Sequence, residues 1–506
     1  LAIALFIGLP IRLIVLGRAT MVSRDTIGFI WYAQALHAQP LQAIRTHAQH
    51  PAYPVMVLAA HGVVSHLPFL PPPVRTDEVR SWTTAAIAVS MLGGLGVIVA
   101  AYLLAATLFN REVGLVAALL AAAAAEFCQL SADGLTDMPH LTVYLLAMWA
   151  GLRGLQRGQP LWFALAGVLA GIGYLFRPEG AEPAVAVAAL LVVPNLCRLT
   201  WRGRLTGVLC LMAGAAVAAG PYMLATGRLV QKKPVAQFVG EASIGEDGLR
   251  AFPGGEMVAQ AGSGGEAIRA LWPIAENWLR SLRGTYFVPV IAWLVWRRRM
   301  PGEGCGLWLI RAAFGLHVVV LVGLLVRFHY WESFSLRHVM ILAGLTLPFA
   351  AAGVVLIVES LPEARQGWAA MLLGAALVGP TVPWMFQAKF YEDASYRTAA
   401  DWIQANTPHR PRVLTVYERI AFYARGDYIP GPWKSDARRY LRAARMTRPD
   451  WIAFDERRTL KETPTFFEDL AKAVRPDERV ELVRVETAKL RKSERRVLIY
   501  RYEGPR

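Results

Sequence analysis

The chain has 506 residues, 55% of them hydrophobic, and a mean hydropathy of +0.36, which excludes both an ordinary soluble protein and a disordered one. Its net charge is +16, yet the charge is segregated: of the 53 basic and 37 acidic residues, about 44 lie in the last 119 positions. Much of the arginine flanks apolar runs long enough to cross a bilayer, so the positive charge reads as membrane orientation rather than as a nucleic-acid surface.

A helix rising about 1.5 Å per residue needs roughly 20 apolar residues to cross ~30 Å of hydrocarbon. About eleven segments are expected to do so, near residues 1–17, 82–108, 113–131, 138–156, 160–176, 180–197, 205–225, 284–296, 306–326, 338–358 and 366–387. The opening LAIALFIGLPIRLIVLG lacks a basic n-region and reads as a retained first span with its start missing rather than as a cleaved signal. Val55 to Leu70 is short and cut by His61 and His66; it reads as a half-buried interfacial helix, and Trp272 to Trp278 as another. Arg111, then Arg153 and Arg157, then Arg198, Arg202 and Arg204, then Arg297, Arg298 and Arg299 recur at every second loop, which marks those loops as cytoplasmic. The outer side then holds 18–80, 131–137, 177–180, 226–283, 327–337 and everything after about 388. Cys128, Cys197, Cys210 and Cys305 fall in or beside apolar stretches without metal-ligand spacing, so neither a disulfide framework nor a zinc site follows.

The chain divides at 387/388 into a polytopic domain, 1–387, and a charged tail, 388–506, large enough for a small core of its own. In the tail, Ser395 is placed to cap a helix whose apolar stripe is Tyr396, Ala399, Ala400 and Ile403. Strands are expected at 412–417, 451–455, 479–486 and 495–503, with helical pieces near 435–446 and 465–474: a small α/β sandwich.

Five outer clusters place charge beside His or aromatic residues at the membrane boundary, where polar groups are costly and therefore informative. In SRDTIGFIWYAQAL (23–36), Arg24 precedes Asp25, which serves either as a helix N-cap or as a carboxylate poised to accept a proton. THAQHPAYP (46–54) places His47 and His50 at a proline-restrained turn, as bystanders or as donors to a phosphate or sugar hydroxyl. SADGLTDMPH (131–140) carries Asp133, Asp137 and His140; Asp133 beside Gly134 suits turn chemistry, whereas Asp137 opens a span. Paired carboxylates can divide base and sugar-binding roles or share a divalent cation such as Mg or Mn. FRPEG (176–180) supplies Arg177 and Glu179, and RFHYWESFSLRH (327–338) supplies Arg327, Arg337 and His338, with Phe328, Tyr330 and Trp331 available to pack on a prenyl chain or a sugar. Arginine on the side where it is otherwise sparse points to an anion, which guanidinium binds bidentately.

The order of Asp25 after the first span, HPAYP, LTD, RPEG and LRH before a late span resembles the polytopic GT-C glycosyltransferases, closest to the bacterial family-39-like group related to protein O-mannosyltransferases and aminoarabinose transferases. The likeness extends into the tail through YRTAADWIQANTPHRPRVLTVYERIAFYA. The resemblance implies a GT-C fold in the inner (plasma) membrane, an extracytoplasmic tail, a polyprenyl-phosphate-linked sugar donor, and a lipid, glycan or protein acceptor. Asp25 would be the first-loop catalytic carboxylate and Asp137 the second-loop acid. His47 and His50 stand where aminoarabinose enzymes have a lysine, and the first loop lacks the Asp-Glu pair associated with protein O-mannosylation. The implied reaction is an inverting displacement, with Asp25 as general base and Arg177 and Arg337 neutralising the departing phosphate. A polytopic transporter or lipid flippase is the alternative; it predicts internal repeats and interrupted helices meeting near the midplane, whereas the two halves show no similarity and the conspicuous charges lie at one face. A non-catalytic envelope scaffold would instead show these groups dispersed.

Overall fold

The computed structural model describes the chain apart from Phe69 and residues 194–195, 198, 230–263, 301, 303, 328–333, 388–393, 433–435, 490–493 and 505–506. Arg198, Phe328, Tyr330, Trp331 and the side chain of Arg327 therefore lie outside the described residues.

Among the described residues, long runs of Ala, Leu, Val and Gly give five helices long and apolar enough to cross a membrane: Glu78–Leu108, Trp201–Thr226, Gly304–Val326, Leu336–Glu359 and Glu363–Met385. A sixth follows if Arg111–Ala123 and Ala125–Ser131, bent by 60° at their junction, count as one. Ala2–Gly17, Ala52–Val64, Pro160–Phe176 and Phe287–Trp296 are apolar but shorter. The spans expected at 138–156 and 180–197 correspond to Asp137–Arg157, which carries several polar groups, and Glu182–Val192, which has 11 residues.

The chain separates into two compact units, one comprising Leu1–Gly17, Tyr32–Val63 and Ala85–Gln387, the other Arg18–Trp31, Val64–Thr84 and Ala388–Arg506. Two stretches from between the first helix and Ala85 thus group with the tail. In the helical unit the bend at Ala124 frees backbone carbonyls, which in an apolar medium must find other donors. Arg12, fully buried in the first helix, supplies them: its guanidinium donates to the carbonyls of Ala122 (3.3 Å), Ala121 (3.5 Å), Gly8 (3.0 Å) and Gly94 (3.3 Å) and to Ser131 Oγ (3.1 Å). Tyr286 caps the Leu120 carbonyl at 3.2 Å. The C-terminal end of Arg111–Ala123 also carries the negative pole of a helix dipole, which suits a cation with no carboxylate among these bonds. Gly94 must be glycine for this to happen, because a Cβ there would stand 1.9 Å from Ser131 Oγ and 2.9 Å from Arg12 Nε. The bend and its arginine therefore set where the 131–137 turn emerges.

In the other unit a mixed sheet of five strands, β1 (Arg412–Thr415), β2 (Asp427–Pro430), β3 (Trp451–Asp455), β4 (Arg479–Lys489) and β5 (Glu494–Glu503), runs in the order β2-β1-β3-β5-β4. β1 is parallel to β2 and β3; β5 is antiparallel to β3 and β4. Every residue of β3 is buried, and Leu414, Ile452 and Phe454 pack with Tyr440, Leu441, Phe466 and Leu470 from the flanking helices. β2, only four residues ending in proline, was not expected from the sequence. Ser395 does not cap its helix: Ala394–Ala405 has already begun, and the buried Ser395 hydroxyl has no hydrogen-bond partner among the described residues. The loop stretch is tied down by Val22 N–H donating to Tyr423 Oη at 2.9 Å, by Trp31 stacking on Tyr428 at 5.5 Å, and by an ion pair between Arg24 and Glu418.

Candidate functional site

The Asp137–Arg157 helix opens inside the helical unit, and its first residue is the centre of the site. Asp137 is 3% exposed and uses both oxygens: Oδ1 accepts from Arg177 Nη2 at 3.0 Å, and Oδ2 accepts from Arg337 Nε at 3.0 Å, with Arg337 Nη2 in ion-pair contact at 2.9 Å. Each arginine is placed by a local sequence rule. Pro178 ends the Pro160–Phe176 helix, so Arg177 takes an extended backbone as its C-cap. Gly180 then lets the turn return against the helix, since a Cβ there would lie 2.0 Å from the Gly173 carbonyl carbon. Arg337 sits in a short 3-10 turn, Leu336–Val339, closed by a reciprocal cap in which His338 Nδ1 accepts the Ser335 N–H at 3.2 Å.

These residues line a cavity of about 370 Å³, mouth included, completed by His140, Leu141, Glu179, His317, Leu321, His338, Met340 and Ile341. Behind it a buried relay runs from Tyr144 Oη to Glu182 Oε2 (3.1 Å), from Glu182 Oε1 to His317 Nδ1 (3.0 Å), and from His317 Nε2 to the His338 carbonyl (3.0 Å). The relay braces the turn that carries Arg337. Among the described residues no group of three or more His, Cys, Asp or Glu is arranged to hold a metal ion.

Of the residues expected at a site, Asp137, Arg177, Glu179, Arg337 and His338 meet in this cavity. Asp133 is buried in the adjoining turn, where Gly134 adopts φ +66° as turn chemistry requires. His50 is buried against Tyr174 (ring centroids 5.0 Å apart) and Tyr222 (5.4 Å). His47 ends the Pro40–Thr46 helix, stacked on Tyr32, with Nδ1 3.0 Å from the Ala43 carbonyl; burial pushes its imidazole below its ordinary pKa. Arg24 and Asp25 belong to the other unit. Asp25 is not the helix N-cap: Ser23 holds that position, its Oγ accepting from Thr26 N–H at 3.3 Å, while Asp25 lies in the first turn. Burial raises the Glu418 carboxyl that pairs with Arg24, which opposes the rise. Sequence reasoning left Glu182, His317 and Tyr144 unassigned, since single polar residues inside apolar runs give no spacing signal. His140 was seen in its cluster without a role.

Residues 80–224 match the family model described as dolichyl-phosphate-mannose-protein mannosyltransferase. No curated protein matches the chain in sequence. Among solved structures, ArnT from Cupriavidus metallidurans bound to undecaprenyl phosphate is similar at a TM-score of 0.60 and 14% identity, covering 98% of this chain and 97% of that one. The Archaeoglobus fulgidus oligosaccharyltransferase AglB, in complex with an inhibitory peptide and a dolichol-phosphate, is similar at 0.55 and 12%, over 93% and 72%. The Archaeoglobus fulgidus oligosaccharyltransferase in a complex with Zn and sulfate is similar at 0.56 and 14%, over 93% and 70%. A mostly helical chain with several membrane-length apolar helices, a small C-terminal sheet and these likenesses is a multi-pass membrane protein with the GT-C fold.

Proposed function

We propose that the chain is an integral-membrane glycosyltransferase that moves a sugar from a polyprenyl-phosphate donor to an acceptor on the outer face of the inner membrane. The observation that carries this reading is the meeting of Arg177 and Arg337 on the Asp137 carboxylate in the wall of one cavity. Two guanidiniums held by a shared acid are pre-aimed donors for a phosphoryl group, and a dispersed scaffold would not need them together. Relatives of the same fold are described as bound to undecaprenyl phosphate and to dolichol-phosphate, which supports a lipid-borne phosphate here.

In this reading about eleven spans place the tail outside, and the acceptor hydroxyl attacks the anomeric carbon with inversion. Asp25 takes the hydroxyl proton, the C1–O bond breaks, and the electron pair leaves with polyprenyl phosphate, whose growing charge Arg177 and Arg337 stabilise. We assign His47, His50, Asp133, Glu179 and His338, together with Arg24 and Arg327, to the binding of donor and acceptor. Transfer from a panel of radiolabelled undecaprenyl-phosphate sugars into lipid, glycan and peptide acceptors, with and without a chelator, tests the proposal. No transfer from any donor, by protein that is folded in bilayer discs, sinks it.

A further inference from the structure

The polar groups around the cavity are nearly all engaged. Asp137 holds both arginines, His317 bridges Glu182 and the His338 carbonyl, and His338 Nδ1 faces Ser335. His140 differs. It lies one turn beyond Asp137 on the same helix, is 4% exposed, lines the cavity, and its Nε2 has no hydrogen-bond partner among the described residues. Buried ring nitrogens without partners are uncommon, because the lost hydration is not replaced. Its other neighbours are the Tyr144 ring, edge-on at 6.2 Å, and the charged or titratable Asp137, Arg177, Glu179 and His317. The formal charges on the walls cancel, Arg177 and Arg337 against Asp137 and Glu179, and His317 on the wall pairs with Glu182 behind it. An oxyanion entering this cavity therefore depends on neutral donors as well as on guanidiniums.

We infer that His140 is a third ligand of the phosphoryl group bound by Arg177 and Arg337, its Nε2–H donating to a phosphoryl oxygen. The inference rests on the polyprenyl-phosphate reading above and adds a residue to it. No bond forms or breaks at His140; it binds and orients.

The test uses the full chain in bilayer discs, with His140→Leu and His140→Gln, measuring affinity for undecaprenyl phosphate and for inorganic phosphate beside thermal unfolding. A glutamine amide nitrogen reaches about as far as Nε2, whereas leucine removes the donor and keeps the bulk. His140→Leu is expected to weaken undecaprenyl phosphate binding about tenfold, the effect of losing one charge-assisted hydrogen bond, and His140→Gln to stay within about threefold of the parent. Thermal stability of the leucine variant should not fall, since it removes an unsatisfied atom rather than a contact. Weakening toward inorganic phosphate as well supports recognition of the phosphoryl group itself; weakening toward the lipid alone supports a ligand that the prenyl chain brings into register. Unchanged affinity in His140→Leu, alongside loss of binding in Arg337→Ala, overturns the role of His140 and leaves the proposed function standing. Equal loss of both affinity and stability in the leucine and glutamine variants also overturns it, by making the residue structural. Absence of binding by the parent protein removes the functional reading and this inference together.

Discussion

An Asp137→Asn substitution keeps the shape of the side chain and removes its charge where both oxygens are in use. Two hydrogen bonds of 3.0 Å and an ion-pair contact of 2.9 Å reach a carboxylate whose side chain is 1% exposed, while the arginines are 18% and 28% exposed. The asparagine amide offers one oxygen, so one guanidinium faces an NH2 group; breaking a buried pair in this way costs about 3–5 kcal/mol. The effect on a bound phosphoryl group has the opposite sign. Removing a negative charge about 6 Å away, at an effective dielectric constant near 20, favours an anion by about 3 kcal/mol, roughly a hundredfold in affinity as an upper bound. The variant should thus unfold at lower temperature, bind undecaprenyl phosphate more tightly and transfer sugar more slowly, because the arginines lose their fixed aim. Binding and melting in bilayer discs measure the first two, and single-turnover transfer the third. Folded Asp137→Asn protein with unchanged or weaker affinity for undecaprenyl phosphate would refute the argument that this acid holds two phosphate-binding arginines.

Asp25→Asn should lower turnover by about 10²–10⁴ at normal abundance, the usual contribution of a general base; unchanged transfer removes Asp25 from the mechanism. Arg12→Met strands the Ala121 and Ala122 carbonyls and Ser131 at the bend and should destabilise the helical unit by at least about 3 kcal/mol, with Ser131→Ala costing about 1 kcal/mol; equal melting temperatures for all three proteins contradict this. In the tail, the hydrogen bonds from Arg445 hold the Glu478 carboxyl below its ordinary range, against the opposing effect of burial. A depressed carboxyl contributes stability that is present above its unfolded pKa of about 4.3 and is lost as pH falls through the folded value. Amide exchange in β4 and the Ala437–Thr447 helix should therefore quicken below about pH 4, and less so in Glu478→Gln, which lacks the titrating group.

Much of the fold was legible because membrane helices announce themselves by length and composition. The runs at 82–108, 205–225, 306–326, 338–358 and 366–387 all became helices of membrane length. The run at 113–131 looked like one continuous span, yet it breaks at Ala124, because Arg12, Tyr286 and Ser131 supply partners that no local pattern encodes. Site residues followed the same division. Arg177, Glu179 and Arg337 stood out as charges beside a membrane boundary, and Asp137 as an acid opening a span. Glu182 and His317 are 135 positions apart and become meaningful only as a pair.

Hydropathy and the distribution of charge determined by themselves that this is a polytopic membrane protein with a charged C-terminal stretch, since desolvating backbone and charge in lipid permits few other solutions. Only the tertiary structure decided that two distant arginines share one aspartate, that a buried arginine stabilises a broken span, and that part of the first loop belongs with the tail. Those outcomes depend on which polar groups satisfy one another across long stretches of chain. Pairing of that kind is a property of packed helices and leaves no periodic trace in the order of residues.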